Sequence, residues 1–585
     1  MTAVETNYHE GLMHRLVNIY HDVDTAILGA IADRVLARLD GASTPGIGAA
    51  SRWDESSCLL ISYADSITDG RKSSLACLGE FVETHLNDVI DSVHILPFFP
   101  STGDDGFSVM DYRAVDPRLG SWGDLTNMSS SRKIMADVIL NHGSRSSAWF
   151  RQFVDGEAPG NGYFLSVDDD FDVSHVIRPR EHALLQPVTT VGGEKKVWCT
   201  FSEDQVDFDF SNPLLLEEFI GIILDFIDHG VRILRLDAVG FLWKETGTTC
   251  LNLHQTHAII QLIRYIADIY DDETVIVTET NLPNHENLSY FGNGNEAHWI
   301  YNFSLPPLIL YSLLFADSSI LRRWSMSMPP ALIGTSYLNF LSSHDGFGMR
   351  PTEGLLDATQ RQRLLDRLEA NGSLFSRRAK ADGTTSVYEA NTTLFSALEK
   401  SDGDPTGALS SARFIAAYAL MFGLEGIPAI YFNSLISAQN HTDGVARSGM
   451  KRRINRQKFE KDWLDDKLSD PTSRESIGLK TLKNLLTIRK RQPAFHPNAT
   501  QFTLQLGAEL FGVWRQSHDR KQSIFAITNL CASEQALDLS AINLIDTENW
   551  RDLITKQQIE SRRGYITMSP YQTVWITNHA APASP

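Results

Sequence analysis

Val231-Arg232-Ile233-Leu234-Arg235-Leu236-Asp237-Ala238-Val239-Gly240 is an apolar run that ends in a carboxylate. A buried-looking strand with an acidic residue at its end is costly unless something uses or neutralises the charge. Strand side chains alternate with period two, so Arg235 and Asp237 share a face. A permanent cation beside Asp237 favours its ionised form. Two readings follow. One is a structural ion pair at a strand-to-loop corner. The other is a held carboxylate suited to attack a glycosidic carbon.

Three more apolar runs end in polar, chemically capable residues. Ile134 to Leu140 contains Asp137 and leads into Asn141-His142, Thr274 to Thr278 leads into Glu279, and Tyr337 to Leu341 leads into Ser342-Ser343-His344-Asp345. Helical stretches such as Leu214 to His229 and Leu253 to Tyr270 lie between. Strand–helix alternation of this kind predicts an α/β fold, a (β/α)8 TIM barrel, in which strand ends converge on one catalytic face. The eight predicted strands are Leu59 to Tyr63, Ser92 to Phe98, Ile134 to Leu140, Val231 to Asp237, Val275 to Glu279, His298 to Phe303, Tyr337 to Leu341 and Pro428 to Phe432. Asp237, Glu279 and Asp345 then meet in one pocket, with His142 and His344 beside them.

The four segments Asp137-Val-Ile-Leu-Asn141-His142, Arg235-Leu-Asp237-Ala238, Glu279 and His344-Asp345 resemble, in order, the four motifs of the alpha-amylase superfamily, glycoside hydrolase family 13. A narrower resemblance is to its sucrose-phosphorylase branch. It rests on Val93-His-Ile-Leu-Pro-Phe-Phe-Pro100, Arg178-Pro179-Arg180, Leu236-Asp-Ala-Val-Gly240 followed by Lys244-Glu-Thr-Gly-Thr248, and His344-Asp345-Gly346.

The resemblance implies a retaining glucosyl transfer. Asp237 is the expected nucleophile and Glu279 the expected acid/base, which must be protonated when the bond breaks. Asp345 is expected to grip sugar hydroxyls, and His142 and His344 to bond the same ring. Asp104 and Arg452 are expected to hold the far hydroxyls and to pair with each other. Phe107 and Phe241 are candidate stacking platforms, with core packing the alternative for Phe241. Phosphate needs Arg or Lys donors in a dry pocket, which nominates Arg180 and, less directly, Arg178. Lys244 reads as structural. Asn141 reads as a loop hydrogen-bonder, with no metal and no cofactor expected.

The other half of the substrate is less legible. The chain has Thr280-Asn-Leu-Pro-Asn284 after the acid/base, Arg350-Pro-Thr-Glu-Gly-Leu-Leu356 after His344-Asp345, and Tyr388-Glu389-Ala-Asn391 in the second insertion. These look like the glucosylglycerate phosphorylases of that branch. Arg350 suits a small carboxylate such as glycerate, while Glu389, if it faces the acceptor, repels one. Glucosylglycerol, sucrose 6'-phosphate and sucrose remain alternative substrates. A hydrolase or transglucosidase of the same fold is a further alternative. A non-catalytic amylase-like interaction protein is another, although such proteins lose the carboxylates that this chain keeps.

Composition sets the bounds. The 585 residues carry 52 basic and 72 acidic side chains, a net charge of −20, which disfavours nucleic acid and anionic membranes as partners. The expected partners are a small α-glucoside and inorganic phosphate, and a homodimer is one candidate assembly. Five dispersed Cys read as buried free thiols in a reducing compartment. The start of the chain lacks a basic region followed by an apolar core, so no signal peptide and a cytoplasmic site are expected.

Residues 1–54 read as an N-terminal helical hairpin, packed on the barrel or on a neighbouring subunit, with Leu12, Leu16, Ile19, Ile27, Ile31, Val35 and Leu39 at helical spacing. Barrel segments are expected over 55–142, 214–345 and 401–490. An inserted lid is expected over 143–213, a second insertion capping the acceptor side over 346–400, and a C-terminal β domain over 491–585.

Overall fold

The computed structural model describes residues 3–39, 52–379, 384–542, 544, 549–560 and 564–578. The eight expected strands form one closed parallel barrel: β1 (Leu59–Ser62), β2 (Ser92–Ile95), β3 (Lys133–Ile139), β4 (Val231–Asp237), β5 (Val275–Thr278), β6 (Trp299–Tyr301), β7 (Ser336–Phe340) and β8 (Ile427–Tyr431). Neighbours in the barrel are neighbours in sequence, and β8 closes on β1. The strands are buried on both faces, which is why they read as continuous apolar runs rather than alternating ones.

Helices Pro213–Asp228 and His254–Tyr270 precede and follow β4 in the chain, each with a buried apolar face. Asn212 caps the first of them, its side chain accepting from the Leu214 N–H, and Pro213 fills the first turn. Register places Arg235 opposite Asp137 across the β3–β4 pair. The two side chains therefore share a face.

The N-terminal hairpin, Ala3–Ile19 and Thr25–Leu39, lies on these flanking helices. The Arg34 guanidinium pairs with Glu217, Arg38 with Asp225, and Arg15 sits 3.8 Å over the Tyr265 ring. Leu12, Leu16, Ile19, Ile31, Val35 and Leu39 are buried. Ile27 faces out, and Leu28 takes the inward position. Both lie within one turn of Ile31, so spacing alone did not separate them. Residues 40–51 of the expected extension lie outside the described residues.

Two excursions rise above the C-terminal ends of the strands. After β3 comes a small antiparallel sheet of Ser166–Val167, Leu185–Thr190 and Gly193–Trp198. After β7 come Phe347–Gly348, helix Ala358–Ala370, Leu374–Ala379 and Thr385–Asn391, the last being the central strand of a second antiparallel sheet. The C-terminal part is β-rich, with a six-stranded sheet between Thr500 and Thr577. It docks on the barrel through the fully buried Arg413, which bonds Asp404, Ser401 and the Tyr571 hydroxyl. All five Cys are buried and free. Among the described residues no helix is long and apolar enough to cross a membrane.

Candidate active site

At the C-terminal end of the barrel lies a cavity with about 830 Å³ of empty space, part of it open to solvent. Asp237, Glu279 and Asp345 all line it. They arrive from the ends of β4, β5 and β7, as convergence of strand ends requires.

Arg235 is the hub beneath them. Its Nη1 donates to Asp237 Oδ1 at 2.5 Å and also bonds Asp137, and its Nη2 lies 3.9 Å from Glu279 Oε2. Asp137 is fully buried and is also held by His94 Nε2 at 2.8 Å. The chain turns at Ala238 in a left-handed conformation (φ 49°), which is strained for a residue with a Cβ. That turn aims the Ala238 N–H at Glu279 Oε2, 3.0 Å away.

Burial, opposed by Arg235, raises Asp237 to about 8, and burial raises Glu279 in the same direction. The two carboxyls repel each other and titrate as a pair. Loss of the last proton from the pair is therefore pushed above the ordinary carboxylate range. Arg235 lowers Asp237 in the expected direction, but burial and the neighbouring carboxylates outweigh it. Arg235 does bias the location: it is 2.5 Å from Asp237 and 3.9 Å from Glu279, so the anion is favoured on Asp237 and the proton on Glu279. Such a pair can supply a nucleophile and an acid together.

Asp345 differs. Burial works to raise it, but Arg452, His344 and Arg456 overcome this and hold it below the usual carboxylate range. Arg452 Nη1 is 2.9 Å from Asp345 Oδ1. Burial pushes the His142 imidazole down to about 4, and that of His344 well below its ordinary value, so both are neutral at pH 7. His142 Nε2 lies 3.2 Å from the Phe107 carbonyl and 3.0 Å from the Gln205 amide. Phe107 stacks on His344, with ring centroids 5.0 Å apart and planes 7° apart. Phe241 lines the cavity and meets Phe201 edge-on at 5.5 Å.

Asp104 lies in a tight loop in which Asp104, Asp105 and Gly106 all have positive φ. A Cβ at Gly106 would come within 2.5 Å of the Pro97 carbonyl, so only glycine fits there. Arg452 reaches Asp104 only at 3.8 Å and spends its better contacts on Asp345 and Glu389. Arg456, which the sequence reading missed, is nearer Asp104 at 3.4 Å and bonds Asp105 at 2.8 Å. Asn455 and Arg456 also donate to the backbone carbonyls of Ser343, Asp345 and His344. One short turn, Lys451–Asn455, thus fixes the loop that carries Asp345.

The excursion after β3 contributes Arg180 but not Arg178 to the cavity wall. Arg180 sits 5.4 Å from the Tyr388 ring centroid and 5.8 Å from that of Phe201, and makes no ion pair among the described residues. Glu389 does not face the acceptor side as a lone charge. It is buried and takes two hydrogen bonds from Arg452, at 3.1 and 3.2 Å. The repulsion anticipated for a carboxylate ligand is therefore neutralised. Arg350 lines the cavity as expected, and Arg378 and Asn281 line it unanticipated.

Lys244 donates to Asn141 at 2.8 Å and pairs with Asp207 at 2.7 Å, all three buried. The ammonium takes up the oxygens that a cation at Asn141 would need. Among the described residues no group of three or more His, Cys, Asp or Glu could hold a metal ion.

Residues 86–343 match the family model "Alpha amylase, catalytic domain". The glucosylglycerate phosphorylase of Allomeiothermus silvanus is 37% identical over 577 residues, 98% of this chain and 100% of that one. The chain belongs to the alpha-amylase family, among its glycoside phosphorylases. The glucosylglycerate phosphorylase of Escherichia coli is 35% identical, covering 90% of this chain and 92% of that one. A solved structure of sucrose 6F-phosphate phosphorylase from Thermoanaerobacter thermosaccharolyticum superposes with a TM-score of 0.71 at 25% identity, over 81% of this chain and 94% of that one. In this phosphorylase the cavity is lined by five carboxylates, Asp104, Asp237, Glu279, Asp345 and Glu389, and four arginines, Arg180, Arg350, Arg378 and Arg452, which come from the two excursions and the turn after β8.

Proposed function

We propose that the chain catalyses reversible phosphorolysis of glucosylglycerate, with retention, through a covalent glucosyl-enzyme. The observation that carries this reading is that two cavity-lining guanidiniums, Arg180 and Arg350, make no ion pair among the described residues, one more than phosphate alone requires. Resemblance over the full length to glucosylglycerate phosphorylases supports the same substrate.

In the first half-reaction Asp237 attacks the anomeric carbon. The glycosidic oxygen departs with the proton of Glu279, and a Asp237–glucosyl ester forms. In the second half-reaction a phosphate oxygen attacks that carbon, Asp237 leaves as the anion, and Glu279 regains a proton from the incoming phosphate. The product is α-glucose 1-phosphate, since two inversions restore the configuration. Asp345, His142, His344 and Asp104 hold the glucosyl ring, and Arg180 holds phosphate. Arg180 suits that role because nothing among the described residues neutralises it and two aromatic rings shield it from water.

Incubation with α-glucose 1-phosphate and a panel of glycerate, glycerol, fructose and fructose 6-phosphate tests the reading. Release of phosphate is expected with glycerate far above the others. Glucose release from α-glucosides, without phosphate release for any acceptor, would overturn it.

A further inference from the structure

Among the described cavity-lining residues three buried side-chain atoms lack hydrogen-bond partners: His344 Nδ1, beside Asp345, and Arg350 Nε and Asn281 Oδ1. Arg350 is 7% exposed, its Nε has no hydrogen-bond partner, and its side chain makes no ion pair among the described residues. Asn281 lines the same cavity, and its Oδ1 is likewise buried without a partner. A buried guanidinium and a buried amide oxygen left bare both cost free energy in the absence of a ligand. One is a charged donor and the other an acceptor.

Their position is specific. Asn281 is two residues past Glu279 in the chain and lines the same cavity. Arg350 follows strand Phe347–Gly348, and at Gly348 the backbone comes so close to Asn281 that a Cβ would lie 2.5 Å from its Oδ1. The Arg350 segment is therefore packed against the segment carrying the acid. Arg378 also lines this wall, tethered to Glu353 at 2.8 Å and to Ser386 at 3.3 Å. Burial, opposed by Glu353 and aided by the neighbouring Arg350 guanidinium, pushes the Arg378 guanidinium below its ordinary value, and a bound anion relieves that cost.

We propose that Arg350, with Arg378 beside it and the Asn281 amide oxygen opposite, forms a subsite that recognises the departing group as a small hydroxy-carboxylate. The guanidinium fork takes the carboxylate, and Asn281 Oδ1 accepts from a hydroxyl of the same molecule. Arg180, on the excursion after β3, is left to phosphate. This rests on the phosphorylase reading but not on glycerate being the acid.

The test uses the full chain, α-glucose 1-phosphate as donor, and glycerate, glycolate, lactate and glycerol as acceptors. Rates are normalised to hydrolysis of α-glucose 1-phosphate by the same preparation, which reports the glucosyl half-reaction. Arg350→Gln is expected to lower the glycerate-to-glycerol ratio of kcat/KM by roughly 100-fold. Arg350→Lys, which keeps the charge and loses the fork, is expected to recover part of it. Asn281→Leu is expected to lower transfer to glycerate by roughly 10-fold. The unmutated enzyme supplies an arm free of folding artefacts: glyceramide, isosteric but uncharged, is expected to be a far poorer acceptor than glycerate.

If glycolate or lactate is used through Arg350 while glycerate is not, the substrate reading fails and the subsite stands. If glycerate is used but its preference survives Arg350→Gln, or glyceramide matches it, the subsite is wrong and the substrate reading stands. Failure with every hydroxy acid overturns both.

Discussion

Glu389→Gln separates two views of the acceptor side. Glu389 lies on strand Thr385–Asn391, next to Tyr388, and its side chain is 2% exposed. Its two oxygens take Nε and Nη2 of Arg452 at 3.1 and 3.2 Å, while Arg452 Nη1 reaches Asp345 at 2.9 Å. Arg452 is thus shared by two carboxylates. Glutamine keeps the volume and one acceptor oxygen, but loses the charge and one of the two bonds. A hydrogen bond to a charged group is worth about 1.5–3 kcal/mol, or roughly 10- to 150-fold in a rate that depends on it.

With Glu389 weakened, Arg452 is drawn toward Asp345 and Asp104, and Asp345 is pulled from the sugar. Because Asp345 serves the glucosyl ring, phosphorolysis and hydrolysis of α-glucose 1-phosphate should fall together, by about 10- to 150-fold in kcat/KM. Steady-state kinetics in both directions, alongside thermal unfolding, provide the assay. A lower KM for glycerate with kcat intact would refute the reasoning, since it would show Glu389 presenting a bare charge to the acceptor. A lower melting temperature with unchanged kinetics would confine Glu389 to a structural role.

Arg180→Ala is expected to cut phosphorolysis by roughly 100-fold while hydrolysis changes far less, the loss being that of a charge-assisted phosphate contact; equal loss of both activities would remove Arg180 from the phosphate site. Burial raises both carboxyls of the Asp237–Glu279 pair, Asp237 to about 8, so turnover should decline as pH rises through about 8, and a pH–rate profile flat beyond 9 would contradict that shift. A carboxyl raised on folding costs stability as pH climbs from its unfolded value to its folded one. Asp237→Asn should therefore abolish turnover and, because only one carboxyl of the coupled pair then remains beside Arg235, should shrink the stability lost between pH 4 and pH 8 in thermal unfolding. Lys244→Met leaves the buried Asp207 uncompensated, and a loss of about 3–5 kcal/mol is expected in denaturant unfolding.

The barrel strands and the three carboxylates were legible from sequence because each is a local pattern. An apolar run fits a strand buried on both faces, and a polar residue at its end belongs to the face where strand ends converge. Arg235 and Asp237 were readable as a pair for the same reason, being two residues apart on one strand. The fate of Glu389 was not readable. Its partner is 63 residues away on the turn after β8, and whether a carboxylate repels a ligand or serves as an anchor depends on that partner. Arg456 was missed because Asp104 and Asp105 lie some 350 residues from it. The Arg235–Asp137 contact depends on strand register, which pairs positions 98 residues apart.

By itself the sequence determined the fold, the order of the catalytic strands and the kind of chemistry at their ends, since short-range periodicity and residue type carry that information. Only the tertiary structure decided which charges are spent and which remain. Lys244 and Glu389 are neutralised by distant partners, while Arg350 Nε and Asn281 Oδ1 are buried without any. Electrostatic energy depends on separation in space and on exclusion of water, and neither quantity is written along the chain.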